Sequence, residues 1–402
     1  MTSNLARHFL LRDDVVFLNH GSFGACPRPV FETYQAWQLE LERQPVAFLG
    51  RELTERMRVP RVALSAFLGT TPENVVGLVN ATEGLNIVAQ SLDLKPGDEI
   101  LTTDHEYSAL EKTWAYVARR TGAKVVTVKV PLPLVSEAAF TDAIAAGFTD
   151  RTKVLFLSHI TSPTALIFPI ERPIAEAKKR GIWTVIDGAH TPGHIPLNLD
   201  KLDADFYSGN CHKWLMTPKG SAFLYVRPEL QGMINPLVVS HGWTIDSKAP
   251  GAEGPFGNSP FIDQLEMQGT RDPAAWLTVP AALDFRREHD WASVAADCRE
   301  LAQETAGRVR AFTGLEPLSS PEFCAPQMVA MPVPHIGDPR EFGRELLERY
   351  RIEIPVFNWQ DRSIVRVSVQ GYNSRAQMDL LIEALIAMLN LEERRAPVRQ
   401  HG

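Results

Sequence analysis

The sequence predicts an α/β protein in which a large domain, built on a mostly parallel seven-stranded sheet, precedes a smaller α+β C-terminal domain. Three observations lead there. Seven short apolar runs rich in β-branched residues recur between 75 and 226; segments with apolar residues three to four apart lie between them; and a second set of strand-like runs follows residue 275.

The seven runs are VVGLV (75–79), EILTTD (99–104), VVTVKV (125–130), VLFLSH (154–159), WTVID (183–187), DFYSG (205–209) and AFLYV (222–226). Segments such as GLNIVAQSL and SALEKTWAYVARRTGA between them carry helical periods, so both sheet faces are covered. Residues 231–270 are rich in Gly, Pro, Asn and Ser and read as a long functional loop. A helix follows around PAAWLTVPAALDFRREHD, and strands are expected near QMVAMPV, IEIPVF and SIVRVSV. The expected division is an N-terminal segment 1–20 packing near the site, a large domain 21–274 and a small domain 275–402.

Charge and cysteine content exclude several classes. Forty-one Lys+Arg against forty-eight Asp+Glu give a formal charge of -7, and no basic cluster or basic helix face suggests nucleic acid. No stretch is long and apolar enough for a membrane span, and the first residues do not read as a signal peptide. The four cysteines, Cys26, Cys211, Cys298 and Cys324, form no CxxC pair, so neither a metal site nor a disulfide framework is expected. A cytoplasmic protein is the expectation.

In a parallel sheet, ligands gather at the carboxyl ends of the strands. After VVGLV, Asn80 and Glu83 have the spacing of a capping box, and the helix start beyond them offers free amides to a phosphate. EILTTD leads into His105-Glu106-Tyr107, which offers a flat ring at the sheet's mouth. WTVID ends in Asp187, an aspartate that needs a cation or donors to close an apolar strand; a protonated pyridine nitrogen would be such a cation. His190 could donate to a phenolate-like oxygen on the same ring. DFYSG leads to Lys213, whose amine, partly desolvated, could form a Schiff base with an aldehyde. Jointly these are the parts that hold pyridoxal 5'-phosphate.

The stretches FLNHGSFGACPRPVF, LTTDHEYSAL, SHITSPTALIFPI, VIDGAHTPGHIPLNLD, DFYSGNCHKWLMTPKGSAFLYV and LEMQGTRD resemble the class V aminotransferase family of fold-type I pyridoxal-phosphate enzymes over most of 15–285. The resemblance implies that Lys213 is the Schiff-base lysine and that Asp187 pairs with the pyridine nitrogen. It places His190 and Ser162 beside the phenolic oxygen, and Tyr107 as the stacking ring with His105 as the alternative. Ala81, Thr82 and His212, helped by Ser208 or Asn210, are expected at the phosphate, with Thr270 reaching it across a homodimer interface. Arg366 is expected to pair with the carboxylate of an amino-acid substrate, and Asn19, His20, Gly21 and Ser22 to line its pocket.

The reaction this resemblance implies is chemistry at Cα, with epimerisation or racemisation first, C–S β-elimination second and transamination third; a silent scaffold is disfavoured by the intact Lys213, Asp187 and Arg366. Epimerisation invites a second acid, for which Tyr107, His20, Cys26 and His241 are candidates. Cysteine desulfuration is disfavoured, because no cysteine lies between Cys324 and Arg366.

Overall fold

The structure, a computed structural model, describes residues 5–245 and 252–391. After a short strand, β1 (Val16–Phe17), come the seven strands of the main sheet: β2 (Val75–Leu78), β3 (Glu99–Thr103), β4 (Lys124–Val128), β5 (Thr152–Ser158), β6 (Trp183–Asp187), β7 (Phe206–Asn210) and β8 (Ala222–Val226). Their order across the sheet is β2-β8-β7-β6-β5-β3-β4. Only β8 runs antiparallel to its neighbours β2 and β7.

Successive residues of each central strand point to opposite faces, and the two faces feed two cores. Leu155, Leu157, Ile186, Tyr207 and Phe223 enter one core, while Val154, Phe156, Val185, Phe206 and Leu224 enter the other. That double burial is why the runs read as continuous apolar stretches rather than as alternating ones. Strand β4 lies at the sheet edge and alone shows a mostly exposed pattern.

The helix Ala81–Ser91 starts at Asn80, whose Oδ1 accepts from Glu83 N at 2.8 Å. The reciprocal bond runs from Val79 N to Glu83 Oε2 at 2.9 Å rather than from Asn80 N. The cap therefore grips the end of β2 as well as the helix.

In the small domain β9 (Met328–Val333), β11 (Val356–Trp359) and β12 (Arg362–Ser368) form a sheet of order β11-β12-β9, and the two-residue β10 (Ile352–Glu353) pairs with β1. The run IEIPVF is thus two strands. Pro355 has no N–H to extend a ladder, and its carbonyl accepts from Arg366 N at 3.0 Å. The helix Val279–Glu288 packs on the helices Arg28–Arg43 and Leu53–Leu68 of the large domain, and the long helix Trp291–Thr313 then covers β9.

The stretch 231–270 also holds an element that its composition hides. Pro260–Glu266 is a helix capped by Ser259 Oγ, and Phe261, Ile262, Asp263, Gln264, Leu265 and Glu266 are all buried. Burial on every side erases helical periodicity. Residues 246–251 of that stretch lie outside the described residues. Among the described residues no helix is long and apolar enough to cross a membrane.

Candidate functional site

The turn between β7 and β8 carries Lys213, and several elements fix its backbone. His20 Nε2 lies 3.1 Å from Lys213 O, and Arg286 donates to Trp214 O and Gly193 O, each at 2.9 Å. Trp214 stacks on His194 at 3.8 Å between ring centroids. Gly24, at φ 72°, lies so close that a Cβ there would stand 2.0 Å from His212 O, so the N-terminal segment needs glycine to seat against this turn.

Lys213 Nζ lies 3.1 Å from His190 Nε2, while Trp214 Nε1 lies 3.4 Å from His190 Nδ1. Indole N–H is only a donor, so Nδ1 accepts and the imidazole proton sits on Nε2. Nε2 then donates to Lys213 as a free amine. The electrostatics agree: burial, and after it the Arg366 charge, bring Lys213 down to about 7, with Asp187 opposing. Burial and the lysine charge also keep His190 well below the usual histidine range.

Asp187 ends β6, is 4% exposed, and accepts one bond, from Ala189 N to Oδ1 at 2.8 Å. Burial raises it to about 6, against the opposing Ala189 amide and Lys213. A cation brought to its other oxygen would favour the ionised form.

At the start of the helix Ala81–Ser91, Asn210 Oδ1 accepts from Ala81 N at 2.8 Å and Asn80 takes Glu83 N. Thr82 lies between them, half-buried, at a helix start whose amides could take an anion. His212 Nδ1 donates to Ser221 O at 3.1 Å, which leaves Nε2 for a ligand. Ser208 differs from expectation: its hydroxyl donates to Phe223 O at 2.8 Å, across to β8. It ties two strands, and Asn210 is the member of that pair at the helix start.

Arg366 on β12 is 5% exposed and reaches the same cleft. Its Nη1 meets Ser162 O and, at 3.3 Å, Ser162 Oγ; its Nη2 meets Ser22 Oγ at 3.3 Å; its buried Nε has no partner among the described residues. Ser162, expected beside the phenolic oxygen, instead faces this guanidinium. Asn19 bridges to Ser368 on β12, and its buried Oδ1 also lacks a partner among the described residues. Gly21 is pressed under Met328, Ser368 and Trp214.

The remaining candidates divide by exposure. Tyr107 starts the helix Ser108–Thr121 with 42% of its surface open, and Thr270 is exposed. His105 is fully buried, with Nδ1 2.7 Å from Thr164 Oγ1 and its ring against Trp359 and Phe168. His20 has Tyr372 OH 3.0 Å from Nδ1 and Lys213 O at Nε2, and burial brings it down to about 3. Its ring is a strut rather than a proton donor. Burial pushes the Cys26 thiol up to about 12, and His241 is exposed outside this cluster of contacts.

Sequence reasoning missed Glu106, Arg286, His194 and Tyr372 as parts of the site's support. Only Glu106 left a signal: a carboxylate next to an apolar strand end.

The family model for Aminotransferase class-V matches residues 26–381. This chain belongs to that family, whose cofactor is pyridoxal phosphate. It is 36% identical over 388 residues to isopenicillin N epimerase of Amycolatopsis lactamdurans, covering 95% of this chain and 97% of the relative. It is 28% identical to a probable chloroplastic L-cysteine desulfhydrase of Arabidopsis thaliana, covering 92% of this chain and 82% of the relative. Among solved structures, a variant of C-DES with glycine linked covalently to its pyridoxal-phosphate cofactor superposes with a TM-score of 0.77 at 21% identity, over 93% of this chain and 96% of that one. That likeness shows the fold: a fold-type I architecture.

The residues present fit the cofactor. A lysine with a depressed pKa would hold its aldehyde carbon, Asp187 its ring nitrogen, His190 its phenolic oxygen, and Thr82, His212 and Asn210 its phosphate. Bound there, pyridoxal phosphate supplies a sink for the electron pair released at an amino acid's Cα.

Proposed function

We propose that this pyridoxal-phosphate enzyme acts at the Cα of an amino acid as an epimerase or racemase. One observation carries the reading: a buried lysine amine with a depressed pKa shares its cleft with an arginine whose Nε has no partner among the described residues. An α-carboxylate offered to Arg366 Nε and Ser22 Oγ would place the amino acid's Cα proton toward Lys213 Nζ, a suitable base near neutral pH. The full-length likeness to an isopenicillin N epimerase supports choosing epimerisation.

Return of the proton on the opposite face asks for a second group. With both His20 nitrogens engaged and the Cys26 thiol held at about 12, the open hydroxyl of Tyr107 is our choice. We also propose that the enzyme is a cytoplasmic homodimer. Supporting the dimer, Leu237, Val238, Val239, Trp243 and Ile245 are 43, 51, 66, 40 and 81% exposed on a stretch that Gly242 N ties to Met267 O at 3.3 Å, three residues before Thr270, an apolar set suited to a second copy.

C–S β-elimination is the second reading, supported by the L-cysteine desulfhydrase relative. It uses the same Lys213 base and differs only in a leaving group at Cβ. Cysteine desulfuration is a poorer fit: no cysteine lies between Cys324 and Arg366, and burial pushes the Cys324 thiol up to about 11. The test is to incubate the holoenzyme with L- and D-amino acids and cysteine conjugates, following chirality and pyruvate in each sample. Inversion without pyruvate supports the epimerase; pyruvate with a released thiol makes the enzyme a lyase.

A further inference from the structure

The carboxyl end of the sheet that carries Asp187 also holds, two strands away, a second carboxyl which the chemistry above does not use. Glu106 lies in the turn after β3 and is 5% exposed. Its Oε2 accepts from Ser158 N at 2.9 Å and from Ser158 Oγ at 2.6 Å, while Oε1 lies 2.7 Å from Thr103 Oγ1. Ser158 is the register partner of Asp187 across β5 and β6. Glu106 therefore grips the strand beside the carboxylate that would face the ring nitrogen.

Two ionised carboxyls in one dry pocket repel each other, and a single pyridinium can balance only one of them. Among the described residues no lysine or arginine bonds to Glu106; its partners are one amide and two hydroxyls. Thr103 Oγ1, which also takes His105 N at 3.2 Å, donates to the ionised Glu106 and would turn to accept a proton borne by Glu106 Oε1. Burial, against the opposing Ser158 and Thr103 hydrogen bonds and with the Asp187 charge adding to it, pushes Glu106 up to about 8, whereas Asp187 reaches about 6. The other charges in reach are Lys213, which acts on Asp187, and Arg366, which acts on Lys213.

We propose that Glu106 is a positioning residue: as the neutral acid it clamps Ser158, and so leaves Asp187 as the single negative charge behind the ring nitrogen of pyridoxal phosphate. The proposal rests on the cofactor assignment and is independent of which amino acid reacts.

The test uses holoenzyme loaded with pyridoxal phosphate labelled with nitrogen-15 in the ring, without substrate, as wild type, Glu106→Gln, Glu106→Ala and Asp187→Asn. Ring-nitrogen shift and cofactor affinity are followed from neutral to alkaline pH. Glutamine mimics the neutral acid, so Glu106→Gln keeps the wild-type shift at neutral pH and an affinity within about twofold, while Glu106→Ala, which loses the clamp, weakens binding about tenfold. In the wild type the shift moves with an inflection near 8 that Glu106→Gln abolishes. A Glu106→Gln shift displaced at neutral pH like that of Asp187→Asn, or an inflection that persists in Glu106→Gln, would overturn the proposal. A wild type that binds no cofactor would instead sink the assignment beneath it.

Discussion

Lys213 Nζ stands 3.1 Å from His190 Nε2, and the Trp214 indole behind the imidazole decides which way that bond runs. With Nδ1 accepting from the indole, Nε2 carries the proton and the lysine is the acceptor. The lysine is therefore held as a nucleophile. Its condensation with pyridoxal phosphate should rise with pH around an inflection near 7, because only the unprotonated amine attacks. Arg366→Ala removes a positive charge and should move that inflection up; Asp187→Asn removes a negative one and should move it down. Stopped-flow reconstitution of the apoenzyme measures it, and an inflection at the ordinary lysine value of 10.5 would contradict it.

Arg366 is buried with an Nε that has no partner among the described residues and two neighbouring hydroxyls, a geometry suited to one carboxylate. Arg366→Ala should raise KM by about 10- to 100-fold, the loss of a charge-assisted pair. Cofactor absorbance should stay as in the wild type. Arg366→Lys should recover only part of the loss, since an ammonium cannot bind a carboxylate bidentately. Unchanged saturation in Arg366→Ala would remove this residue from substrate binding.

Arg286 supplies both donors that hold the carbonyls of Trp214 and Gly193. Arg286→Ala leaves two buried acceptors unsatisfied and should lower unfolding free energy by about 2–4 kcal/mol. Urea denaturation checks this. A change under about 0.5 kcal/mol would show that the turn holds without it.

Burial brings His20 down to about 3, below its model-peptide value of 6.5. A group depressed on folding contributes stability that is full above its unfolded pKa and lost as pH falls toward the folded one. Between pH 7.5 and 5.5 (about one unit below the unfolded value), the wild type should lose about 1.4 kcal/mol more than His20→Asn does. Parallel stability–pH curves for the two proteins would show that His20 does not stay neutral in the fold.

The parallel sheet and its strand-end chemistry were legible because burial on both faces writes long apolar runs, and because Asp187 and Lys213 sit where such runs stop. The phosphate-side helix was legible through Asn80 and Glu83, although the glutamate closes on Val79 rather than on its cap. Other parts were hidden by distance. That Arg366 touches Ser162 and Ser22 depends on bringing together three segments far apart in the chain, and side-chain type alone does not reveal it. Ser208 illustrates the same limit: a hydroxyl at a strand end can serve a ligand or the next strand, and here Phe223 O takes it. The helix Pro260–Glu266 was masked by its complete burial, which replaces a two-faced pattern with a uniform one.

If Lys213 is the base at the Cα of an amino acid, the wild-type enzyme exchanges that hydrogen in deuterated buffer. Wild-type holoenzyme and Lys213→Ala, each with pyridoxal phosphate in excess, are incubated with a panel of L- and D-amino acids and read by mass spectrometry. Deuterium is expected at Cα with the wild type, and its loss in Lys213→Ala. Equal exchange in the two proteins, or none with any amino acid in a wild type that has bound its cofactor, would contradict that role of Lys213.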